Sequence, residues 1–136
     1  MSTNYRFTLA EALGLLPTVR QMVIELQARK QELDVAAAAV ERLEGLTGGN
    51  GHLAADAARV RREVQVHATK LEALMAELAS LGPLLKGIDE GLVDFPAERE
   101  GRVVLMCWRL GEETIGWWHE EDSGFASRRP LQGNDW

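Results

Sequence analysis

The chain has 136 residues, 46% hydrophobic and 26% charged, and a formal charge of -6 at pH 7. That balance fits a soluble folded protein of one domain, residues 1–136, and argues against a nucleic-acid binder, whose phosphate affinity comes mainly from clustered Lys and Arg. Cys107 is the single cysteine, which excludes an internal disulfide and points to a reduced, cytoplasmic setting. No stretch approaches the ~20 apolar residues of a membrane span, and the N-terminal segment lacks the basic region and apolar core of a secretion signal.

Thr8 followed by Glu11 is a capping box that opens a helix. Pro17 predicts an interruption, with a short helix before it and a long one after it, because proline cannot donate to the preceding turn. From there Val19, Met22, Leu26, Leu33, Ala36, Val40 and Leu43 recur as a heptad-like stripe, with Arg29 as its one misfit. The glycines of "TGGNGH", Thr47 to His52, predict a reversal. A second stripe follows, through Leu53, Ala57, Val60, Val64, His67, Leu71, Leu74, Leu78 and Leu81. Two facing stripes joined by a tight turn make a long antiparallel helical hairpin, about residues 8–81. A weaker apolar line, Ile24, Ala28, Val35, Ala39 and Leu46, lies on the outer side of the first helix, and the expected cover for it is a second copy, giving a homodimer through the helices.

Gly82 and Pro83 end the second helix, and the pattern changes to short strands over about residues 84–131. "LLKGI", "DEG" and "LVDF" predict a β-hairpin. "PAEREG", Pro96 to Gly101, reads as a loop into the strand "RVVLMCWRL", and "GEE" turns that strand back into "TIGWWHE". The fold class is therefore α+β, a helical hairpin followed by a small antiparallel sheet. The C-terminal "QGNDW" is mobile unless Trp136 docks.

No nucleophile elbow, paired-histidine metal motif, phosphate loop or dinucleotide fingerprint is present. The chemistry-bearing residues gather instead near the end of the chain. His119, followed by Glu120, Glu121 and Asp122, combines an imidazole with carboxylates, which suits a divalent metal or a shared proton. His52 is a second metal candidate if its turn folds toward the sheet. Asp94 falls in the apolar run "GLVDFPA", where a carboxylate needs a partner; Arg109 is the first choice, with Lys86 and Arg128 the others. The functional alternative to a structural ion pair is a pocket where Asp94, Arg109, His119, Asp122 and Arg128 receive a small polar or anionic ligand. His67 reads as a core residue of its stripe, and Cys107 as an inert mid-strand thiol. Alternation sends Trp117 and Trp118 to opposite faces of the sheet.

"FTLAEALGLLPTVR", "GGNGH", "GLVDFPA", "CWRLGE" and "WWHEEDSGFASRRPL" together resemble, in order and across nearly the whole chain, the family termed domain-of-unknown-function 2203. The resemblance implies a helical front half and a motif-dense back half, and carries no established activity. The family's last motif runs Gly-Phe-Ala-Gly-Arg-Gln-Pro-Leu. Here Ser127 and Arg129 replace a glycine and the glutamine, adding bulk and charge beside Arg128, while Phe125, Arg128 and Pro130 match.

Two functions follow as expectations. The first is a non-enzymatic oligomeric binding or scaffolding protein that self-associates through its helices. The alternative is a small-ligand or divalent-metal protein and, if an enzyme, a hydrolase, with a site at the sheet rim built from His119, Glu120, Asp122 and His52 as metal ligands beside Asp94 and Arg128.

Overall fold

The capping box forms as the sequence predicts: Thr8 N–H donates to Glu11 Oε1 at 2.8 Å, and Glu11 N–H donates to Thr8 Oγ at 3.1 Å. The computed structural model describes residues 5–46, 51–133 and 136, without the side chains of residues 51 and 52. Helix α1 spans Leu9–Leu46 and is unbroken at Pro17, against the expected interruption. The missing donor and ring clash cost about 3 kcal/mol. Burial of Leu16, Val19, Met22, Val23 and Leu26 around the proline offsets this, each such side chain contributing about 1.5–3 kcal/mol.

Helix α2 spans Gly51–Ser80 and packs along α1. The reversal predicted at Thr47 to His52 lies outside the described residues, except for the backbone of Gly51 and His52, which opens α2. At ~1.5 Å per residue the helices are roughly 57 and 45 Å long. Among the described residues, no helix is long and apolar enough to cross a membrane.

The strands are β1 (Leu84–Gly87), β2 (Leu92–Arg99), β3 (Arg102–Arg109), β4 (Trp117–Glu120) and β5 (Arg129–Pro130), and they form one antiparallel sheet in the order β1-β2-β3-β4-β5. Pro96 to Arg99, expected to be loop, belongs to β2. Pro96 is tolerated because its carbonyl accepts the Phe7 N–H at 2.7 Å. Its backbone polar groups thus face away from β3, on the side where the short β1 has already ended and no strand needs a donor. Glu100 and Gly101 both have positive φ (54° and 78°), the conformation of a two-residue hairpin turn, so β2 and β3 pair without slack from Leu92↔Arg109 to Arg99↔Arg102.

One core joins helices to sheet. Leu16, Val19, Val23 and Leu26 of α1 and Leu71 and Leu78 of α2 pack on Val93, Phe95, Met106, Trp108 and Trp118. Every buried residue of α1 lies between Ala12 and Leu26, and the β1–β2 turn reaches the helix only as far as Gln27 and Lys30, which bond Ile88 and Asp89. Beyond that point the hairpin stands clear of the sheet as a two-helix arm. Trp136 docks, with its ring 5.5 Å from Trp118 and Arg99 placed over both.

Candidate functional site

Strand alternation gives the sheet two unlike faces. Val93, Phe95 and Ala97 of β2 and Val104, Met106 and Trp108 of β3 turn toward the helices. Asp94 and Cys107 turn the other way, and the register sets them directly opposite one another. On β4 the same rule sends Trp118 to the core and His119 to the distal face. Leu105 pairs with His119 and Cys107 with Trp117, so His119 is the diagonal neighbour of Cys107. Strand pairing alone therefore brings an oxygen, a sulfur and a nitrogen donor together from three adjacent strands.

The three are deeply buried: Asp94 is 2%, His119 3% and Cys107 1% exposed. Their donor atoms all lie within 4.8 Å of one another. His119 Nδ1 is 2.8 Å from the Glu120 carbonyl, which only accepts, so Nδ1 carries a hydrogen. Nε2 is left for the Asp94 carboxylate at 3.1 Å, and that contact holds a single proton. Burial raises the Asp94 pKa, opposed by the charge and hydrogen bond of His119 and by the charge of Lys86. The Cys107 thiol is pushed up to about 11, first by burial and then by the negative charge of Asp94, while the Arg128 guanidinium draws it the other way.

Arg128 is itself firmly placed. Nη2 donates to Glu112 Oε2 at 2.6 Å, and the guanidinium lies 4.0 Å from the Phe125 ring centroid and 4.7 Å from that of Trp117. Glu112 is held in turn, because its Oε1 accepts the Arg109 backbone N–H and its carbonyl accepts Trp108 Nε1–H. The second guanidinium nitrogen, Nη1, is buried with no hydrogen-bond partner among the described residues. A neutral thiol is a weak acceptor for such a donor, whereas a thiolate is a strong one.

A cavity of about 180 Å³ opens in front of the cluster, walled by Lys86 and Leu92 on the sheet and by Ser123, Gly124 and Phe125 of the loop after β4. This is well below the ~300–1,000 Å³ of pockets that hold drug-sized ligands.

The residues singled out from sequence are distributed unevenly. Asp94 and His119 meet, and Arg128 stands beside Cys107. The expected Asp94–Arg109 pairing does not form: His119 bonds the carboxylate, and the Arg109 guanidinium lies 5.6 Å from the Phe125 ring centroid, beside the loop. Glu120 contributes only its carbonyl, since its carboxylate is paired with Arg102 at 2.8 Å. Asp122 is exposed and does not line the cavity. The His52 side chain lies outside the described residues, and its backbone is in the first turn of α2, a helix length from the sheet. The cluster occupies the distal face of the sheet rather than its rim. Lys86, named from sequence as an alternative partner for Asp94, lines the cavity and acts on that carboxylate by charge. Cys107, Glu112 and Phe125 belong with the cluster and are not among the sequence-derived site residues; the hairpin register described above is the signal that finds Cys107.

The profile of the family described as "Uncharacterized conserved protein (DUF2203)" matches residues 6–131. The chain belongs to this family. No curated protein and no solved structure matches it. At the two positions where this DUF2203 chain departs from the family's closing motif, Ser127 is exposed and Arg129 is stacked 5.1 Å from the Trp118 ring centroid. Neither lines the cavity, so the departures leave it open.

Proposed function

We propose that the protein binds a divalent transition metal of the zinc class through Asp94, Cys107 and His119, and uses it on a small ligand in the adjoining cavity. The observation that carries this reading is the meeting of buried oxygen, sulfur and nitrogen donors within 4.8 Å at the floor of a cavity. Zinc–ligand bonds of ~2.0–2.3 Å place tetrahedral ligands about 3.3 to 3.6 Å apart, so the 3.1 Å between His119 Nε2 and Asp94 asks for little rearrangement. Mixed imidazole, thiolate and carboxylate donors favour zinc over calcium or magnesium, which take oxygen ligands.

The surroundings fit the same chemistry. A ligating histidine donates its other ring N–H to a carbonyl or carboxylate, which fixes its tautomer, and His119 does so to Glu120. Arg128 and its orphaned Nη1 favour the thiolate that a metal requires. Three protein ligands and a fourth position facing a cavity are the arrangement of catalytic rather than structural zinc, and metal-activated water is the chemistry it supports. The cytoplasmic setting expected from the lone cysteine keeps Cys107 reduced.

The test is metal content and spectroscopy on protein purified without an affinity tag. Zn²⁺ added to metal-free protein raises the melting temperature, and Co²⁺ produces a thiolate charge-transfer band that Cys107→Ser abolishes while far-ultraviolet dichroism stays native. No thermal shift and no such band in the parent protein overturn the reading.

A second reading concerns the arm. Self-association through α1 is supported by Ile24, Val35 and Leu46 on its outer line, exposed by 45%, 65% and 62%. Alongside them, Ala28, Ala36 and Ala39 with Val60 of α2 line a groove of about 600 Å³. A protruding valine and a shallow alanine-lined groove on one patch are what a two-fold contact between copies needs, and the function is then the binding or scaffolding of a homodimer, coiled through its helices. Sedimentation at micromolar concentration tests it, and a monomer there removes it.

A further inference from the structure

The exposed large apolar side chains of α1 are Leu13, Ile24, Val35 and Leu46, each eleven residues after the last. Eleven residues complete three helical turns to within about 20°, so the four form one nearly straight line along α1. Two further columns keep the same period. Pro17, Ala28 and Ala39 are small and flank the line on the side of α2, where Ala28 and Ala39 line the groove shared with Val60. Arg20, Gln31 and Arg42 are long and polar and form the other flank, where Arg20 donates to the Glu113 carbonyl in the β3–β4 loop at 3.3 Å. A solvated helix face has no reason to keep three columns in step from Leu13 to Leu46, whereas a face covered by a second helix does.

Resting on the self-association reading above, we infer that this covering helix is α1 of a second copy, running antiparallel, with Leu13 opposite Leu46 and Ile24 opposite Val35. A two-fold axis between residues 29 and 30 pairs all four apolar side chains. It also brings the α2-side flanks of the two copies together, small against small, which lets the helices approach closely. Burial of α1 by the sheet ends at Leu26, so the sheet-bearing part of each copy lies beside the bare arm of the other, from Leu33 onward. The opposite flanks meet as well, and Arg42 of one copy arrives within a helical turn of Arg20 and its Glu113 loop. Among the described residues neither Arg42 nor the exposed Glu113 carboxylate has a partner in its own chain. Such a surface pair adds little affinity but fixes direction and register. A parallel pair leaves Arg42 roughly 30 Å from that loop. The antiparallel seam is about 50 Å long and ~10 Å wide, roughly 1,000 Å² over both copies, the size at which specific interfaces begin.

The test is disulfide cross-linking of the full-length chain. Ile24→Cys and Val35→Cys each replace an exposed side chain, and the parent protein, whose only thiol is the buried Cys107, sets the background. Mixed at micromolar concentration, left to exchange subunits and oxidised, the two variants are expected to form a 24–35 cross-linked dimer at least tenfold faster than either variant links to itself. In this register the two copies of position 35 lie about 16 Å apart along the seam, far beyond the ~4.4–6.8 Å between the Cα atoms of a disulfide. Val35→Cys linking to itself as fast as the mixture means a parallel pair or a two-fold axis at Val35, and overturns this inference while leaving self-association intact. So does a protein that sediments as a dimer and yields no 24–35 link. Sedimentation as a monomer overturns both.

Discussion

His119 Nε2 and the Asp94 carboxylate meet at 3.1 Å across an intervening strand, both almost wholly buried. Burial is the largest influence on Asp94 and raises its pKa, so the folded chain holds that proton more tightly than the unfolded chain. Stability contributed by this group therefore falls as pH rises from the ordinary carboxylate value through the raised one. Asn resembles the protonated acid in shape and supplies an N–H to His119, without the charge. In metal-free protein Asp94→Asn is expected to gain stability relative to the parent as pH climbs from the ordinary carboxylate value, about 4, to above neutrality. Urea unfolding at both ends of that range reads the difference, and a gap moving the other way makes the carboxylate a net stabiliser.

The same substitution separates structure from function. A group kept only to hold the fold loses stability when removed, whereas a ligand kept for its charge loses metal. Asp94→Asn is expected to bind Co²⁺ at least tenfold more weakly while melting no earlier at neutral pH. Equal affinity with an early melt identifies a structural pair instead.

Cys107 gives a second measure of the site. With its thiol pushed up to about 11 by burial and by Asp94, the thiolate fraction near neutral pH falls roughly two orders of magnitude below that of a free cysteine. Iodoacetamide should label the native metal-free protein at least that much more slowly than the urea-unfolded chain. Comparable rates in the two states mean that the distal face is open and the thiol free.

How much of the fold and site was legible depended on one turn. The helical hairpin needed only periodicity and a capping box, which are local signals carried by residues such as Thr8, Glu11 and the leucines of α2. The site needed register. With Pro96 to Gly101 read as loop, β2 and β3 have no fixed pairing, and Asp94 is matched by charge to Arg109. Recognising Glu100–Gly101 as a two-residue turn fixes every partner across β2 and β3, and Asp94 then falls opposite Cys107. Pro96 hid that turn by looking like a strand breaker, and only the contact with Phe7 explains its tolerance. The continuity of α1 through Pro17 was likewise decided by tertiary burial, which no local rule carries.

Arg128 stands outside the Asp94–Cys107–His119 cluster, beside Cys107. It sits between Phe125 and Trp117, bonded to Glu112 and beside Cys107, with a side chain only 16% exposed. Lysine keeps the charge but loses the planar stack and the fork of donors. Arg128→Lys is expected to cost about 1–3 kcal/mol in unfolding free energy and to weaken Co²⁺ about tenfold or more, the scale seen for groups that support metal ligands. Chemical denaturation and a competitive metal titration read the two effects, and unchanged affinity places Arg128 in loop anchoring alone.

The arm makes a prediction that the sheet does not. Val35 is 65% exposed on a part of α1 that the sheet does not reach, so replacing it disturbs no buried contact of a lone chain. Val35→Glu is expected to leave the unfolding free energy of the monomer within about 0.5 kcal/mol. In a two-fold contact, however, the same position occurs once in each copy, and two carboxylates enter one apolar seam where a single unpaired charge already costs several kcal/mol. Analytical ultracentrifugation should therefore show the self-association constant falling by more than tenfold, with the melting temperature of the dilute protein unmoved. A dimer that survives Val35→Glu is built on another surface, and the exposed line on α1 then belongs to a monomeric arm.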